Sequence, residues 1–190
     1  MELSVILYLL LLVVVAVLRF VELGISKRHQ KQMVADGASK VSEPRFYLMV
    51  GLHTAVLIGA ALEVVFLHRP FIPILAAVCF IIFLAANAVR WWVIRTLGEH
   101  WNVQVMNSTS LGVITTGPFK YVRHPNYAAV FVEMLVLPLI HTAWITAIAG
   151  SIAHILVLSQ RLSTEERVLF SDAQYRAAMS SKPRFLPGLF

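Results

Sequence analysis

Residues 127–160 read YAAVFVEMLVLPLIHTAWITAIAGSIAHILVLSQ, and the number of helices in this stretch decides the predicted fold. The stretch includes one charged side chain, Glu133. A helix needs about 20 apolar residues to cross roughly 30 Å of hydrocarbon, so the stretch is too long for one untilted span and short of two full ones. Pro138 and the polar pair His141 and Thr142 indicate a break. We therefore predict a hairpin, with a short helix at about 127–140 and a longer one at about 142–160.

Three further apolar stretches are long enough to cross a membrane. They are residues 3–18, which are unbroken by charge and can extend to residue 24, residues 46–67 and residues 71–89. Of the 190 residues, 58% are hydrophobic and 14% are charged, whereas a soluble domain is about a quarter charged. This composition argues against a soluble Rossmann enzyme, a disordered chain and a secreted disulfide scaffold. Cys79 is the single cysteine and therefore excludes an intrachain disulfide.

The basic residues fall into three segments, which follow the first, third and last predicted spans. They are Lys27, Arg28, Lys31, Lys40 and Arg45; Arg90, Arg95, Lys120 and Arg123; and Arg161, Arg167, Arg176, Lys182 and Arg184. The connections assigned to the other side carry only Arg69. By the positive-inside rule all three segments are cytoplasmic, which requires five spans with the N-terminus outside and the C-terminus inside. The net charge of +6 is then explained by topology rather than by binding to nucleic acid.

The predicted fold is an all-α integral membrane protein with five transmembrane helices, the last two forming the hairpin with its short fourth span. Residues 1–95 form a three-helix membrane region. Residues 96–190 form the catalytic region of the same integral domain, with a cytoplasmic loop, the hairpin and a C-terminal helix. For that helix we expect residues 163–179, because Ser163 and Glu166 have the spacing of a capping box at a helix start.

Several polar and aromatic side chains have an expected structural role. Arg19 and Glu22 are three residues apart and should form an ion pair. His53 is expected to be a packing histidine in the second span. Glu133 is costly in hydrocarbon, so it either lines a substrate cavity or makes a structural hydrogen bond. The tryptophans Trp91, Trp92 and Trp101 are expected at the membrane interface.

Two segments on the cytoplasmic side are richer in reactive side chains than a connector requires. In the first, Gly117-Pro118-Phe119 is followed by the run Arg123-His124-Pro125-Asn126-Tyr127. The second has the pattern Arg161-x-x-x-Glu165-Glu166. With the apolar hairpin between them, these motifs resemble the isoprenylcysteine carboxyl methyltransferase family over about residues 90–187. Phospholipid methyltransferases have a related layout.

The resemblance implies S-adenosylmethionine as the cofactor, with S-adenosylhomocysteine as its product, held by the cytoplasmic ends of the last helices and the preceding loop. It implies cofactor contacts at Gln104, Leu111, Gly112, Val113, Ile114, Phe119, His124, Pro125, Asn126, Tyr127 and Glu165. The family commonly has Tyr where this chain has Phe119, so a stacking surface is kept and a hydroxyl is lost. The family's substrate-side arginine falls on Arg161.

The chemistry of these side chains suits such a cofactor. Glu165 can pair with the ammonium group, and either Arg123 or backbone N–H groups near His124 can bind the carboxylate. Leu111, Val113 and Phe119 can form an apolar slot for adenine. The chain has no Gly-x-Gly-x-x-Gly, so a Rossmann cofactor site is absent.

The acceptor's chemistry decides which residues act on it. A carboxylate acceptor needs no base, and Arg161 would align it. A hydroxyl acceptor needs one, with His124 or Glu133 as candidates. Arg161 and Glu165 are four residues apart and should share one helix face.

The resemblance implies an acceptor that enters from the bilayer, either a prenylated cysteine or a free long-chain phenolic or pyrone lipid. The alternatives are an NADPH-dependent membrane reductase of the sterol-reductase type, which shares Arg-His-Pro-Asn-Tyr, and a non-enzymatic membrane scaffold. The histidines lack metal-ligand spacing, so no metal is predicted. The oligomeric state is left open.

Overall fold

The structure is a computed structural model that describes residues 2–41, 43, 46–107 and 112–185. The α-helices within these residues are α1 (Leu3–Ala35), α2 (Phe46–Phe66), α3 (Pro73–Leu97), α4 (Pro125–Leu139), α5 (Trp144–Leu169) and α6 (Ala173–Met179). Short 3-10 helices lie at Gly98–His100 and Gly117–Lys120. Leu111, a predicted cofactor contact, and Arg45 lie outside the described residues.

Four helices are long and apolar enough to cross a membrane, namely α1, α2, α3 and α5. Large apolar side chains on these helices, such as Phe20, Ile74 and Ile145, are exposed on the outside of the bundle. Helix α4 has 15 residues. At 1.5 Å per residue it is about 22 Å long, which is short of the hydrocarbon thickness. The chain is thus an integral membrane protein with four clear candidate spans, and the fifth span stays a prediction.

The break within residues 127–160 is confirmed, because α4 ends at Leu139 and α5 begins at Trp144. The carbonyl of Pro138 accepts the N–H groups of His141 and Ala143, which closes the turn. The start of α5 is then capped by a side chain from α2. The Glu63 carboxylate accepts the backbone N–H of Thr146 at 2.7 Å and pairs with Arg69, so the orphan donors of the helix start are satisfied.

The predicted helix at 163–179 is wrong. Helix α5 continues to Leu169, and the Ser163 hydroxyl donates to the carbonyl of Ser159 rather than capping a new helix. Residues 160–169 contain no proline or glycine, so nothing in them stops a helix that begins in the apolar part. The new helix, α6, starts later, where the Asp172 side chain accepts the N–H of Tyr175.

Helix α1 is also longer than predicted, and the all-α expectation is incomplete. The helix runs to Ala35, well past the apolar stretch, and Gly37 follows with a φ of 98°. Beyond it, two residues form strand β1 (Ser39–Lys40), which pairs antiparallel with β2 (Met106–Asn107). The Glu43 carboxylate accepts the N–H of Val105 at 2.7 Å. The segment between α1 and α2, here called the first connection, is therefore fixed to the loop that precedes α4.

Helices α2 and α5 run antiparallel and approach each other closely. A Cβ on Gly59 would lie 3.3 Å from the Thr146 hydroxyl, and a Cβ on Gly150 would lie 2.7 Å from a methyl of Val56. One further turn along, the rings of His53 and His154 meet with centroids 5.7 Å apart. The helices are thus held together by small residues at one end and flank a pair of imidazoles at the other.

An ion network joins α1, α3 and α4 inside the bundle. The predicted pair of Arg19 and Glu22 is confirmed, with a 2.7 Å contact. Glu22 also pairs with Arg90 at 2.6 Å, and Arg19 pairs with Glu133 at 2.9 Å. Two positive and two negative charges thereby neutralise each other where water is scarce.

We expect Gly150→Ala to destabilise the protein, because the added methyl group would overlap with Val56. Overpacking of this kind costs about 1–3 kcal/mol. The midpoint of thermal unfolding in detergent should fall, and the additional substitution Val56→Ala should restore it. The control is Gly51→Ala, whose Cβ would meet nothing within 4 Å. Equal midpoints for the two single variants would contradict the close contact of α2 and α5.

Candidate functional site

A cavity of about 270 Å³ lies at the end of the bundle where the basic segments meet. This volume is near the lower end of the range for small-molecule sites, about 300–1,000 Å³. The walls come from α2, α3, α4, α5 and α6 and from the loop between α3 and α4. The cavity thus draws on both halves of the chain.

Every predicted cofactor residue that the structure describes lines this cavity. They are Gln104, Gly112, Val113, Ile114, Phe119, His124, Pro125, Asn126, Tyr127 and Glu165. Arg161 lines it as well. Glu133 is not among the lining residues, and its pairing with Arg19 favours the structural hydrogen bond that was one of its two alternatives.

The Tyr127 hydroxyl connects two charged residues of α5, Arg161 and Glu165. It donates to the Glu165 carboxylate and accepts from the Arg161 guanidinium at 2.8 Å. The guanidinium also lies 5.6 Å from the centre of the Tyr127 ring and donates to the carbonyl of Val103. Arg161 and Glu165 therefore share one face of α5, as their spacing predicts. The His124 ring stacks on Tyr127, and its Nδ1 lies 3.9 Å from a Glu165 oxygen.

Glu166 binds the other side of the His124 ring and holds the C-terminal segment. Its carboxylate accepts from His124 Nε2 at 3.2 Å, lies 3.4 Å from an Arg123 nitrogen and pairs with Arg184 at 2.7 Å. The hydrogen bond to the Glu166 carboxylate, and its negative charge, raise the pKa of the Arg184 guanidinium above its usual value. The segment that carries Arg184 is thereby fixed beside the start of α4.

Backbone N–H groups at the start of α4 are used within the protein. The N–H of Arg123 donates to the carbonyl of Pro183, and that of His124 donates to the carbonyl of Arg184, both at 2.9 Å. These two groups are therefore not free to bind a carboxylate, so the backbone alternative from the sequence loses two of its possible donors. The Arg123 side chain remains, because its Nε is buried and has no partner among the described residues.

The loop at residues 98–107 is fixed by side chains of α1. The ring of His29 on α1 donates from Nδ1 to the carbonyl of Trp101 at 2.7 Å, and the Ser26 hydroxyl accepts the N–H of Val103. Trp101 is 2% exposed and lines the cavity, so the interface position expected for it is wrong. Trp91 and Trp92 are exposed on α3, and their position at the membrane interface stays a prediction.

Glycine is needed where the next part of the loop touches α3. Gly117 has a φ of 57°, and a Cβ there would lie 2.4 Å from the Thr96 hydroxyl. Both the backbone conformation and the lack of space exclude other residues at this position.

Unpaired polar atoms show what kind of ligand the cavity suits. Within the described residues, the side-chain oxygen of Asn126 is buried without a donor, and Arg123 Nε is buried without an acceptor. The carboxylate of Glu165 lines the same cavity, and burial raises the pKa of the Tyr175 phenol, which stays neutral. Apolar side chains such as Val113, Phe119 and Leu169 form the remaining wall. A ligand with an ammonium, a carboxylate and an apolar ring system matches this set.

The site includes residues that the sequence did not identify. Glu43 lies 3.6 Å from Arg161, although 118 positions separate them in the chain. Arg90, His53 and His154 also line the cavity. In the sequence, these three residues stand out as charged or polar side chains within apolar helices. In membrane proteins such a residue is by default a candidate for a functional site.

The chain is similar to known proteins over most of its length. The model of the "Isoprenylcysteine carboxyl methyltransferase (ICMT) family" matches residues 77–171, from α3 to just past α5. "Uncharacterized protein YpbQ" of Bacillus subtilis is 26% identical over 160 residues, which cover 84% of this chain and 95% of that protein. An "Uncharacterized protein" of Haemophilus influenzae is 31% identical over 153 residues, which cover 80% of this chain and 88% of that protein. The similarity thus extends beyond the segment that the family model matches.

We expect Glu166→Gln to loosen the C-terminal segment, because Arg184 and Arg123 lose their anionic partner. A partly exposed charge pair is worth about 1 kcal/mol, which corresponds to roughly fivefold more frequent opening. Trypsin should therefore cleave after Arg184 about five times faster, as measured by mass spectrometry of the intact chain. Glu99→Gln, an exposed site, is the control. Unchanged cleavage in Glu166→Gln would contradict the assigned role.

Proposed function

Because this chain belongs to the isoprenylcysteine carboxyl methyltransferase family, we propose that it is a membrane enzyme that transfers a methyl group from S-adenosylmethionine to an oxygen of a lipophilic acceptor. The observation that carries the proposal is the convergence of the ten described cofactor positions on one cavity, next to apolar helices. The acceptor would enter from the bilayer, and its oxygen belongs to a carboxylate or a hydroxyl.

The residues of the cavity fit this cofactor. Glu165 and the unpaired oxygen of Asn126 would hold its ammonium, and Arg123 Nε would hold its carboxylate. Val113, Ile114 and Phe119 would pack against its adenine. When bound, S-adenosylmethionine supplies a methyl group on a positively charged sulfur. The chain's own contribution is to orient both reactants and to keep water out, and such positioning can supply much of the rate.

Arg161 is the candidate for orienting the acceptor. Its guanidinium is largely buried, and its bonds to Tyr127 and Val103 fix its position. A fixed positive charge would align a carboxylate, or an oxygen that becomes anionic as it loses a proton. A prenylated cysteine and a long-chain phenolic or pyrone lipid both meet this requirement.

For the topology we propose five spans, with the N-terminus outside and the C-terminus and cavity in the cytoplasm. The supporting observation is that contacts between residues near the basic segments bring these segments together at one end of the bundle. His29 joins the last part of α1 to Trp101, and Tyr127 joins the start of α4 to Glu165 near the end of α5. We further propose that residues 96–190 form the catalytic region, supplemented from the membrane region 1–95 by Met49 and His53, which line the cavity, and by Glu43, which contacts Arg161.

We expect Glu165→Gln to bind S-adenosylhomocysteine at least tenfold more weakly, because a charge-assisted hydrogen bond to a partly exposed carboxylate is worth about 1.5 kcal/mol. The measurement is calorimetry of the purified protein in detergent, with Glu99→Gln as the control. Labelled S-adenosylmethionine and a membrane lipid extract, followed by mass spectrometry, should then yield a methylated lipid.

The same titration separates the alternatives. A reductase of the sterol type would bind NADPH instead of S-adenosylhomocysteine, and a non-enzymatic scaffold would bind neither. Either result would overturn the proposed function.

A further inference from the structure

The wall residues Arg90 and Arg123 are paired with carboxylates that lie outside the cavity wall. Arg90 lines the cavity and pairs with Glu22 on α1 at 2.6 Å. Arg123 also lines the cavity and lies 3.4 Å from the carboxylate of Glu166. Neither Glu22 nor Glu166 is among the lining residues. Each of these positive charges therefore has a negative charge close to it.

Arg161, a further arginine of the wall, has two carboxylates close to it. Its Nε atom lies 3.6 Å from Glu43, and the Tyr127 hydroxyl connects the same nitrogen to Glu165. Glu165 is the only carboxylate among the described residues that line the cavity, and Glu43 is not a lining residue. One positive and two negative charges meet at this place, so this part of the cavity has an excess of negative charge.

The carboxylate of Glu43 is held in a fixed place with little access to water. Its side chain is 8% exposed, and its second oxygen accepts the backbone N–H of Val105 at 2.7 Å. The N–H of Val41 donates to the carbonyl of Val105 at 3.2 Å, which fixes the backbone before Glu43 to the same residue. Charges that are partly buried are screened less by the solvent than exposed ones. The charge of Glu43 therefore acts on a ligand in the cavity.

Glu43 acts on Arg161 by its charge rather than by a hydrogen bond. A separation of 3.6 Å is too long for a hydrogen bond, whereas Tyr127 and Val103 form hydrogen bonds with the guanidinium. The position of Arg161 is thus secured without Glu43. Glu43 also lies outside residues 77–171, which the family model matches, so its contribution is not part of that similarity.

The two molecules that the cavity must distinguish differ mainly in one charge. S-adenosylmethionine and S-adenosylhomocysteine share the ammonium, the carboxylate and the adenosine, but only the methyl donor has a positively charged sulfur. On the proposed function, Glu165 holds the ammonium and Arg161 orients the acceptor, so the methyl group passes between these two residues. Glu43 adds its negative charge beside Arg161, where it attracts a positive sulfur and leaves a neutral one unaffected.

We propose that Glu43 is a specificity-determining residue that favours binding of the positively charged methyl donor over its neutral product. The inference rests on the proposed function. During transfer the acceptor oxygen forms a bond to the methyl carbon, and the carbon–sulfur bond breaks with its electron pair left on sulfur. An acceptor carboxylate becomes an ester, whereas a hydroxyl also releases its proton to water. The sulfur then carries no charge and is no longer attracted by Glu43, so the product leaves more readily.

The test is calorimetry of the full chain in detergent at neutral pH, without acceptor. The ligands are S-adenosylmethionine, S-adenosylhomocysteine and sinefungin, in which a protonated amine replaces the sulfonium methyl. Glu43→Gln keeps an oxygen for the N–H of Val105 and removes the charge. Two unit charges about 10 Å apart, at an effective dielectric constant of about 20, change affinity by about tenfold or more, and water in the cavity reduces this effect. In Glu43→Gln the affinity for both cations, relative to S-adenosylhomocysteine, should therefore fall about fivefold.

Two further variants test the sign of the effect and its dependence on charge. Arg161→Gln removes a positive charge from the same place, so it should raise the relative affinity for the two cations. Glu43→Asp keeps the negative charge and should retain most of the wild-type preference. The control is Glu99→Gln, an exposed site at the same end of the bundle, which should leave the ratio of affinities unchanged.

The outcomes separate the two proposals. An equal loss of affinity for all three ligands in Glu43→Gln would show a merely structural role and overturn the inference. A ratio that stays the same in Glu43→Gln, or that falls in Arg161→Gln, would overturn it as well and leave the proposed function standing. Failure of the wild-type protein to bind any of the three ligands would overturn both.

Discussion

The hydroxyl of Tyr127 holds two opposite charges of α5 in fixed positions, and the arrangement of the cavity depends on it. By donating to Glu165 and accepting from Arg161, it links the start of α4 to the end of α5. Arg161 in turn donates to the carbonyl of Val103 and so fixes the loop. Its contact with Glu43 attaches the first connection to the same group. Polar groups that lie in hydrocarbon or deep in protein are stable only when they satisfy one another. The same bonds that make these charges tolerable therefore also position them for a ligand.

Local patterns in the sequence predicted the parts of the fold that depend on neighbouring residues. Apolar runs located the spanning helices, Pro138 located the break before α5, and the spacing of Arg161 and Glu165 placed both on one face. The capping box at Ser163 failed because its pattern is meaningful only where a helix starts, and α5 simply continues there.

Features that rest on contacts between distant segments could not be predicted in the same way. The contact of Glu43 with Val105 and the burial of Trp101 both depend on how the first connection folds over the loop. The bonding of His124 to the carbonyl of Arg184 is of the same kind. His154 was visible as a polar residue in an apolar helix, but only the packing of α2 against α5 shows that its ring is left without a partner.

The shortness of α4 has a consequence for how the protein is made. Helix α4 has 15 residues and carries the carboxylate of Glu133, so its transfer into hydrocarbon on its own is only weakly favourable. In the folded chain it has no exposed residue, because α3 and α5 surround it and Arg19 neutralises Glu133. On the five-span topology, the insertion machinery cannot release α4 into lipid as an independent segment. It must hold α4 until α5 has emerged, so that the pair enters the bilayer as one unit.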